Sequence, residues 1–431
     1  MTWSNKPHIL KTRASALQVS PDLLTHAGEN ANLSPIGARP RLRDLCRMEA
    51  DMKDVEMKSN LKRRVWVEID VSRLRANYAK IAAAVKPLKV LCVLKANAYG
   101  LGVMPYAAAL AETDCAGFGV AEPFEALQLA GGKKPVQILS SILPDEIEPM
   151  VAAGVTLPVI DLPTAKLISA AARKLGRTAT VHFKLDTGMG RLGILAADAP
   201  RVIRAVKRLP NLDCAGIFSH CPMAYDPANE FSNDQIDLFC AILKDVARDG
   251  IRFKTIHIAA SDAINNFPRA AKRPFTMVRT GINLHGSFDP NGRRALNVES
   301  VLTLKTRVAQ VRDLPAGTTL GYGRTWCLAK RTRVATISAG YADGLPLALT
   351  NRGHVLVDGV PCPVIGRISM DYTTVDVSRV PHVKPGDEVV CLGGRGKYAI
   401  TPDDWAVLKG THAYDIICSF GNRVERVYCG R

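Results

Sequence analysis

The stretch KVLCVLKANAYG, from Lys89 to Gly100, places a lysine at the carboxyl end of a short apolar run. Comparable runs recur along the chain, and helical patterns such as Pro163–Leu175 and Asn233–Asp249 separate them. The predicted strands lie near residues 90–96, 117–121, 136–140, 156–160, 179–185, 215–219, 254–259 and 276–280. Eight short strands alternating with helices are typical of a (β/α)8 barrel. A doubly wound sheet is the rival fold, but no Gly-x-Gly-x-x-Gly motif follows the first strand.

The pattern changes near residue 300, where short alternating runs rich in valine and threonine replace the helices. Asp358-Gly359 lies between two such runs and predicts a type I′ hairpin. No helical segment of any length is evident before Asp403. The predicted fold class is therefore α/β, with a TIM-like barrel over residues 65–300 and a C-terminal all-β domain over residues 301–431. The strand at residues 65–70 is placed with the barrel, and its membership of the β domain stays open.

Residues 1–64 differ from the rest, because they contain 12 basic and 7 acidic residues and show little periodicity. No apolar segment of signal-peptide length follows a basic start. We expect a mostly disordered extension, or a start codon assigned too early, with Met48, Met52 and Met57 as alternative starts. A transit peptide is the less favoured alternative.

Composition excludes several classes of protein. Of the 431 residues 47% are hydrophobic, which excludes disorder of the whole chain, and no uncharged apolar run of about 18 residues predicts a membrane span. The 57 basic and 40 acidic residues give a net charge of +17, which raises the question of nucleic-acid binding. The basic residues are scattered, so a basic surface without a polymer partner is the favoured interpretation.

The cysteine pattern indicates free thiols. The count is eleven, which is odd, and no Cys-x-x-Cys motif occurs. This usage is typical of a reducing compartment and predicts neither a disulfide framework nor a zinc or other metal site.

In a barrel of this type the functional groups lie at the carboxyl ends of the strands. Those ends carry Lys95, Lys184–Arg191, Ser219-His220, Ala260–Asp262 and Arg279–Ile282. A single lysine there is ordinarily a solvated loop residue. The whole set, however, suits a phosphorylated aromatic cofactor, with a lysine to form an imine, a histidine to stack, and serine and backbone amides to bind phosphate. The sequence thus predicts a pyridoxal 5′-phosphate (PLP) site.

Five motifs in order carry a family resemblance over about residues 65–431. They are Lys95–Gly100 (KANAYG), Asp186–Arg191 (DTGMGR), Gly321–Arg324 (GYGR), Gly340–Gly344 (GYADG) and Ser369–Asp371 (SMD). In these motifs the sequence resembles the bacterial alanine racemases, which are PLP enzymes of barrel-plus-β-domain architecture.

The resemblance implies a cofactor site in which Lys95 holds PLP through an imine. It implies that His220 lies against the pyridine ring and that Arg279 contacts the ring nitrogen. The phosphate-binding residues that it implies are Tyr99, Ser261, Gly281, Ile282 and Tyr414.

The resemblance also implies two-base proton transfer at Cα, with Lys95 and Tyr322 on opposite faces. Arg191 would bind the substrate carboxylate and the cofactor's phenolic oxygen. Tyr341 and Met370 would line the substrate entrance, and a second subunit of a homodimer would supply them together with Tyr322. The implied activity is a cytoplasmic interconversion of L- and D-alanine, which supplies D-alanine for peptidoglycan.

Several alternatives stay open at this point. Lys184 matches a position that is carboxylated in many members, but a plain pair with Asp186 or another acid is also compatible with the sequence. Ala260, Leu101 and the loop 221–225 depart from the usual family pattern, which leaves serine, lysine or a broad range as alternative substrates. A non-catalytic PLP-carrying barrel protein should lack the β domain and Tyr322. A related decarboxylase should use a cysteine.

Overall fold

The computed structural model describes residues 63–430. The predicted extension over residues 1–64 lies outside this range, except for Arg63 and Arg64. In the described part of the chain, no helix combines the length and the apolar character that crossing a bilayer requires.

Eight parallel strands close into a barrel. They are β2 Lys89–Val93, β3 Gly117–Val120, β4 Val136–Ile138, β5 Leu157–Val159, β6 Ala179–Asp186, β8 Leu212–Phe218, β9 Thr255–His257 and β10 Met277–Thr280, and a two-residue strand, β7 Ile194–Leu195, pairs with β6. A bridge between Gln137 and Thr156 joins β4 to β5. The amide of Arg279 donates to the carbonyl of Ala259 (3.0 Å), which joins β9 to β10. The predicted barrel is therefore confirmed.

The helices of this region cover the barrel. They are α1 Val71–Val85, α2 Val103–Ala111, α3 Pro123–Leu129, α4 Ile147–Ala152, α5 Leu162–Lys174, α6 Ala199–Val206, α7 Phe231–Ala247 and α8 Ser261–Asn266. The first begins where the Asp70 carboxylate accepts hydrogen bonds from the amides of Ser72 and Arg73, each 3.0 Å long. Its buried face is Val71, Leu74, Tyr78, Ile81 and Val85. This spacing of three or four residues packs one side of the helix on the strands.

The second domain is built on a mixed sheet. The strands of this domain are β11 Leu302–Leu314, β12 Thr319–Leu320, β13 Trp326–Cys327, β14 Thr332–Ile337, β15 His354–Val357, β16 Val360–Pro363, β17 Thr373–Asp376, β18 Glu388–Leu392 and β19 Glu425–Cys429. Two helices, α9 Pro402–Lys409 and α10 Ala413–Ile417, lie between β18 and β19. Asp358 and Gly359 both have positive φ values and form the predicted tight turn between β15 and β16.

The strand β1, Val65–Asp70, pairs antiparallel with β11 and parallel with β19, although it precedes the barrel in sequence. One continuous cluster of buried side chains extends from Val65 through the barrel strands to Val424. The barrel and the β domain therefore share a core, and the chain passes through the β sheet before and after it builds the barrel.

Candidate active site

Lys95 follows β2 directly and opens a left-handed turn. The next four residues, Ala96–Tyr99, have φ between 51° and 60° and ψ between 35° and 50°. For a residue other than glycine, this conformation costs about 1–2 kcal/mol of conformational energy, and strain of this kind clusters at functional sites. Lys95 is exposed at the strand end, and its pKa is lowered, first by partial desolvation and then by the charge of Arg191.

A buried carboxylate that the sequence analysis missed holds this turn. Glu125, in the first turn of α3, accepts a hydrogen bond from the amide of Asn97 (3.1 Å) with one oxygen. Its other oxygen accepts from the amide of Ala121 (2.8 Å) after β3. The side chain of Asn97 in turn accepts from the amide of Val103 at 2.8 Å. Glu125 therefore links two strand ends, and only its place in a capping box could have drawn attention to it in the sequence.

Lys184, near the end of β6, is buried beside other cations. Its Nζ donates to the carbonyls of Leu139 (2.6 Å) and Ser140 (3.3 Å) rather than to Asp186. Burial, followed by the charge of Arg191, lowers the pKa of Lys184 to about 8. The Asp186 carboxylate instead accepts hydrogen bonds from the four amides of residues 188–191. It therefore fixes the loop that carries Arg191.

Arg279, on β10, is buried and anchored by backbone carbonyls. It donates to the carbonyls of Ser219 (2.8 Å) and Ile258 (2.9 Å) and to Nδ1 of His257 (2.8 Å). Burial lowers the pKa of Arg279 to about 10, so the guanidinium stays charged at neutral pH. His257 is a second residue that the sequence analysis missed, because the predicted strand near residues 254–259 placed it inside the strand, whereas β9 ends at His257.

His220 lies next to this guanidinium, with its Nδ1 3.4 Å from a terminal nitrogen of Arg279. Burial, followed by the charge of Arg279, lowers the pKa of His220 to about 3. The imidazole is therefore neutral at physiological pH. It adds no positive charge to the neighbouring cations and offers a flat surface for stacking.

A second cluster contains hydroxyl groups and backbone amides. Ser261 Oγ accepts from the amide of Gly281 (3.0 Å) and interacts with the hydroxyl of Tyr414. A Cβ at Gly281 would lie 2.0 Å from the hydroxyl oxygen of Tyr99, and the rings of Tyr99 and Tyr414 are 5.9 Å apart. Burial raises the pKa of both tyrosines, so both hydroxyls remain donors. Ile282 begins a 3-10 turn directly after Gly281.

Three of the four predicted site residues of the β domain, namely Tyr322, Tyr341 and Met370, lie on exposed turns. Tyr322 is 73% exposed, Met370 is 52% exposed and Tyr341 is 43% exposed. None of the three side chains is buried within the single chain. Trp326 and Tyr372 are exposed on the same domain, which gives it a set of large unburied apolar and aromatic groups.

Arg423 joins two of these turns and was not predicted. Its guanidinium binds both oxygens of buried Asp343, at 2.7 and 3.0 Å, within the turn that carries Tyr341. It also donates to Asp371 (2.7 Å), the neighbour of Met370. A bidentate pair of this kind fixes the two turns relative to each other.

Two family models match the chain. The model described as alanine racemase, N-terminal domain, matches residues 69–289, and the model described as alanine racemase, C-terminal domain, matches residues 301–428.

Individual proteins agree with these models. The alanine racemase of Symbiobacterium thermophilum is 36% identical over 371 residues, which are 85% of this chain and 98% of that protein. The crystal structure of alanine racemase from D-cycloserine producing Streptomyces lavendulae has a TM-score of 0.80 and 34% identity, covering 86% of this chain and 98% of that one. A structure from Bartonella henselae, described with covalently bound pyridoxal phosphate, has a TM-score of 0.76 and 28% identity, covering 85% of this chain and all of that one.

Proposed function

The chain belongs to the alanine racemase family, and from this premise we propose that it interconverts L- and D-alanine with PLP bound to Lys95. The observation that carries the proposal is that three groups converge at the strand ends of one barrel. They are Lys95, whose pKa is lowered, the cation cluster around Arg279, and the hydroxyl cluster around Ser261. The product D-alanine would serve peptidoglycan synthesis. Cysteines that are all free within residues 63–430 support a reducing, cytoplasmic location.

The chemistry of the two clusters fits PLP. The hydroxyls of Tyr99, Ser261 and Tyr414, with the amides near Gly281 and Ile282, would hold its phosphate. The missing Cβ of Gly281 lets the Tyr99 hydroxyl approach the backbone. On the other side, His220 is neutral and would lie against the ring, and the adjacent guanidinium of Arg279 would contact the ring nitrogen.

When bound, PLP withdraws electrons from the Cα of an attached amino acid and lowers the barrier to removal of its proton. The chain's residues supply the rest. The lowered pKa of Lys95 increases the fraction of neutral amine, which can accept the Cα proton. Arg191, held by Asp186, would bind the substrate carboxylate. Arg279, fixed by two carbonyls, keeps its proton and so does not protonate the ring.

The second base, Tyr322, would come from the partner subunit of a homodimer, together with Tyr341 and Met370. Its exposure in the single chain and the exposed Trp326 and Tyr372 on the same domain support this arrangement, because aromatic side chains are enriched at protein–protein interfaces. A proton would then leave one face of Cα through Lys95 and return to the other through Tyr322.

The direct test is a racemisation assay of the holoenzyme with L-alanine, L-serine and L-lysine as separate substrates. The proposal expects the largest kcat/KM for alanine. A larger value for serine or lysine would replace the substrate, and no activity on any of them would overturn the proposed function.

Replacing Gly281 with alanine is expected to weaken PLP binding by about 10- to 100-fold, since the new methyl would overlap the Tyr99 hydroxyl and displace one phosphate donor. A titration of the apoprotein with PLP, followed by absorbance, measures the dissociation constant. Gly132→Ala is the control, because Gly132 also lacks a positive φ and an added methyl there would lie 3.0 Å from its nearest neighbour, the carbonyl oxygen of Leu129. An unchanged dissociation constant in Gly281→Ala would remove Gly281 from the cradle.

We also propose that Lys184 is carboxylated, because carbon dioxide adds to a neutral amine and the nearby Asp186 carboxylate is already occupied by four backbone amides. With a pKa of about 8, the neutral fraction rises between roughly pH 7 and pH 9, so the modified fraction should rise over the same range at constant dissolved carbon dioxide. Carbon-13 NMR of enzyme equilibrated with labelled carbon dioxide measures it. A wild-type spectrum identical to that of Lys184→Arg at pH 9 would contradict the assignment.

A further inference from the structure

The last strand of the β domain contacts the turn that carries Lys95. Nε of Arg426 donates to the carbonyl of Gly100 (3.0 Å), and the hydroxyl of Tyr428 donates to the carbonyl of Leu101 (2.8 Å). The two residues are two positions apart on β19, so their side chains project from the same face of the strand. Two hydrogen bonds thus fasten the end of the left-handed turn to a strand more than 300 residues away in sequence.

Arg426 is bound entirely by carbonyls in the described structure. Besides Gly100, it donates to Phe420 (2.9 Å), Gly421 (2.9 Å) and Val424 (2.5 Å). Partial burial lowers its pKa, and a desolvated guanidinium is costly unless each donor is used. Arg426 therefore links Gly100, the residue after Tyr99, to residues 420–424, which follow the helix that carries Tyr414.

Gly102 makes the approach of Tyr428 possible. A Cβ at Gly102 would lie 2.0 Å from the Tyr428 hydroxyl oxygen, and the residue has a φ of +98°. The turn has further internal bonds, because the amides of Leu101 and Gly102 donate to the carbonyls of Ala98 (3.2 Å) and Asn97 (2.9 Å). Four consecutive strained residues thus have fixed supports on both sides, Glu125 on the barrel side and β19 on the other.

We propose that Arg426 and Tyr428 are positioning residues, which hold the left-handed turn so that the Lys95 amine and the Tyr99 hydroxyl meet the cofactor in the correct geometry. Neither touches the reacting atoms. The proposal rests on the proposed function for its effect on catalysis, but its effect on the turn is independent of any cofactor.

The first experiment is hydrogen–deuterium exchange of the apoprotein, read by mass spectrometry. In Arg426→Gln, amides of the peptide spanning residues 96–103 should exchange about tenfold faster, as expected when supporting hydrogen bonds are removed. A peptide covering β6 should be unchanged. Arg252→Gln is the matched control, because Arg252 likewise donates to backbone carbonyls, those of Ala247 and Ile251, but on the outside of the barrel.

The second experiment measures the PLP dissociation constant and the separate values of kcat and KM. Arg426→Gln should bind PLP about tenfold more weakly and lose about tenfold in kcat at nearly constant KM for alanine. Arg426→Lys should recover part of both. Tyr428→Phe, which removes one hydroxyl, should show the same changes to a smaller extent, and it decides the question if Arg426→Gln does not fold. Tyr78→Phe, which loses the bond to Asp114 (2.7 Å), is its control.

Wild-type exchange and wild-type PLP affinity in a folded Arg426 or Tyr428 variant would overturn the inference. The same holds if Tyr78→Phe reproduces the effects of Tyr428→Phe, since general destabilisation would then explain them. Failure of the wild-type enzyme to racemise alanine would overturn the proposed function but would leave the exchange result standing.

Discussion

Lys95→Ala is expected to lower kcat/KM for alanine racemisation by at least about 10⁴-fold, because one amine provides both the covalent attachment of the cofactor and the base on one face of Cα. The variant should also lose the near-ultraviolet and visible absorbance of a lysine-bound cofactor. Both quantities are measured on the same preparation, by a coupled assay for D-alanine and by an absorbance spectrum after removal of free PLP.

The control for this variant is Lys174→Ala, which removes a surface lysine whose partner is Glu148 (2.8 Å) on the outside of the barrel. It should keep wild-type activity and spectrum. Full activity of Lys95→Ala would contradict the mechanism, and loss of activity with an unchanged cofactor spectrum would show that another residue carries the cofactor.

The barrel and most of its strand-end residues could be predicted because each is a local property of the sequence. A buried parallel strand is a short apolar run, and the residue after it lies at the carboxyl end whatever the rest of the chain does. Lys95, Lys184 and Arg279 were found in this way. The strand β1 shows the limit, since its pattern indicates a strand but not the sheet that it joins.

The supports of the site could not be predicted, because they depend on contacts between distant parts of the chain. Nothing in Ala96–Tyr99 indicates a left-handed turn, since glycine is absent from these four residues. The turn exists because Glu125 and Arg426 hold it, and each is an ordinary charged residue in its own sequence context. Groups that the chemistry requires can be predicted from sequence patterns, whereas groups that only the geometry requires cannot.

The structure also gives the basic residues of the site a physical purpose. The charges of Arg191, Arg279 and Lys95 lower the pKa of Lys184 after burial has done so, and the nearby carboxylate of Asp186 is occupied by backbone amides. Such a site carries an uncompensated positive charge. An anionic cofactor and the carboxylate of an amino acid would balance this charge. The carboxyl group that we propose on Lys184 would supply the remaining negative charge.

The proposed sharing of the active site between two subunits gives the sharpest test of the proposed homodimer. Tyr322→Phe alone should lose about 10²- to 10⁴-fold in kcat, the usual contribution of a general base. When equal amounts of Lys95→Ala and Tyr322→Phe chains are unfolded together and then refolded, activity should return. Half of the dimers are then mixed, and each mixed dimer has one site with an intact Lys95 and an intact Tyr322. With random pairing, about a quarter of the wild-type specific activity is expected.

If both residues of a site came from one chain, every site in the mixture would lack one base, and no activity would return. The recovery therefore distinguishes a site shared between subunits from a site within one chain, which the loss of activity in either variant alone does not do. A mixture of Lys95→Ala with Tyr398→Phe is the control, because Tyr398 is a partly exposed tyrosine of the same domain outside the site. That mixture should show about half of the wild-type activity, since every site with an intact Lys95 then has an intact Tyr322 beside it.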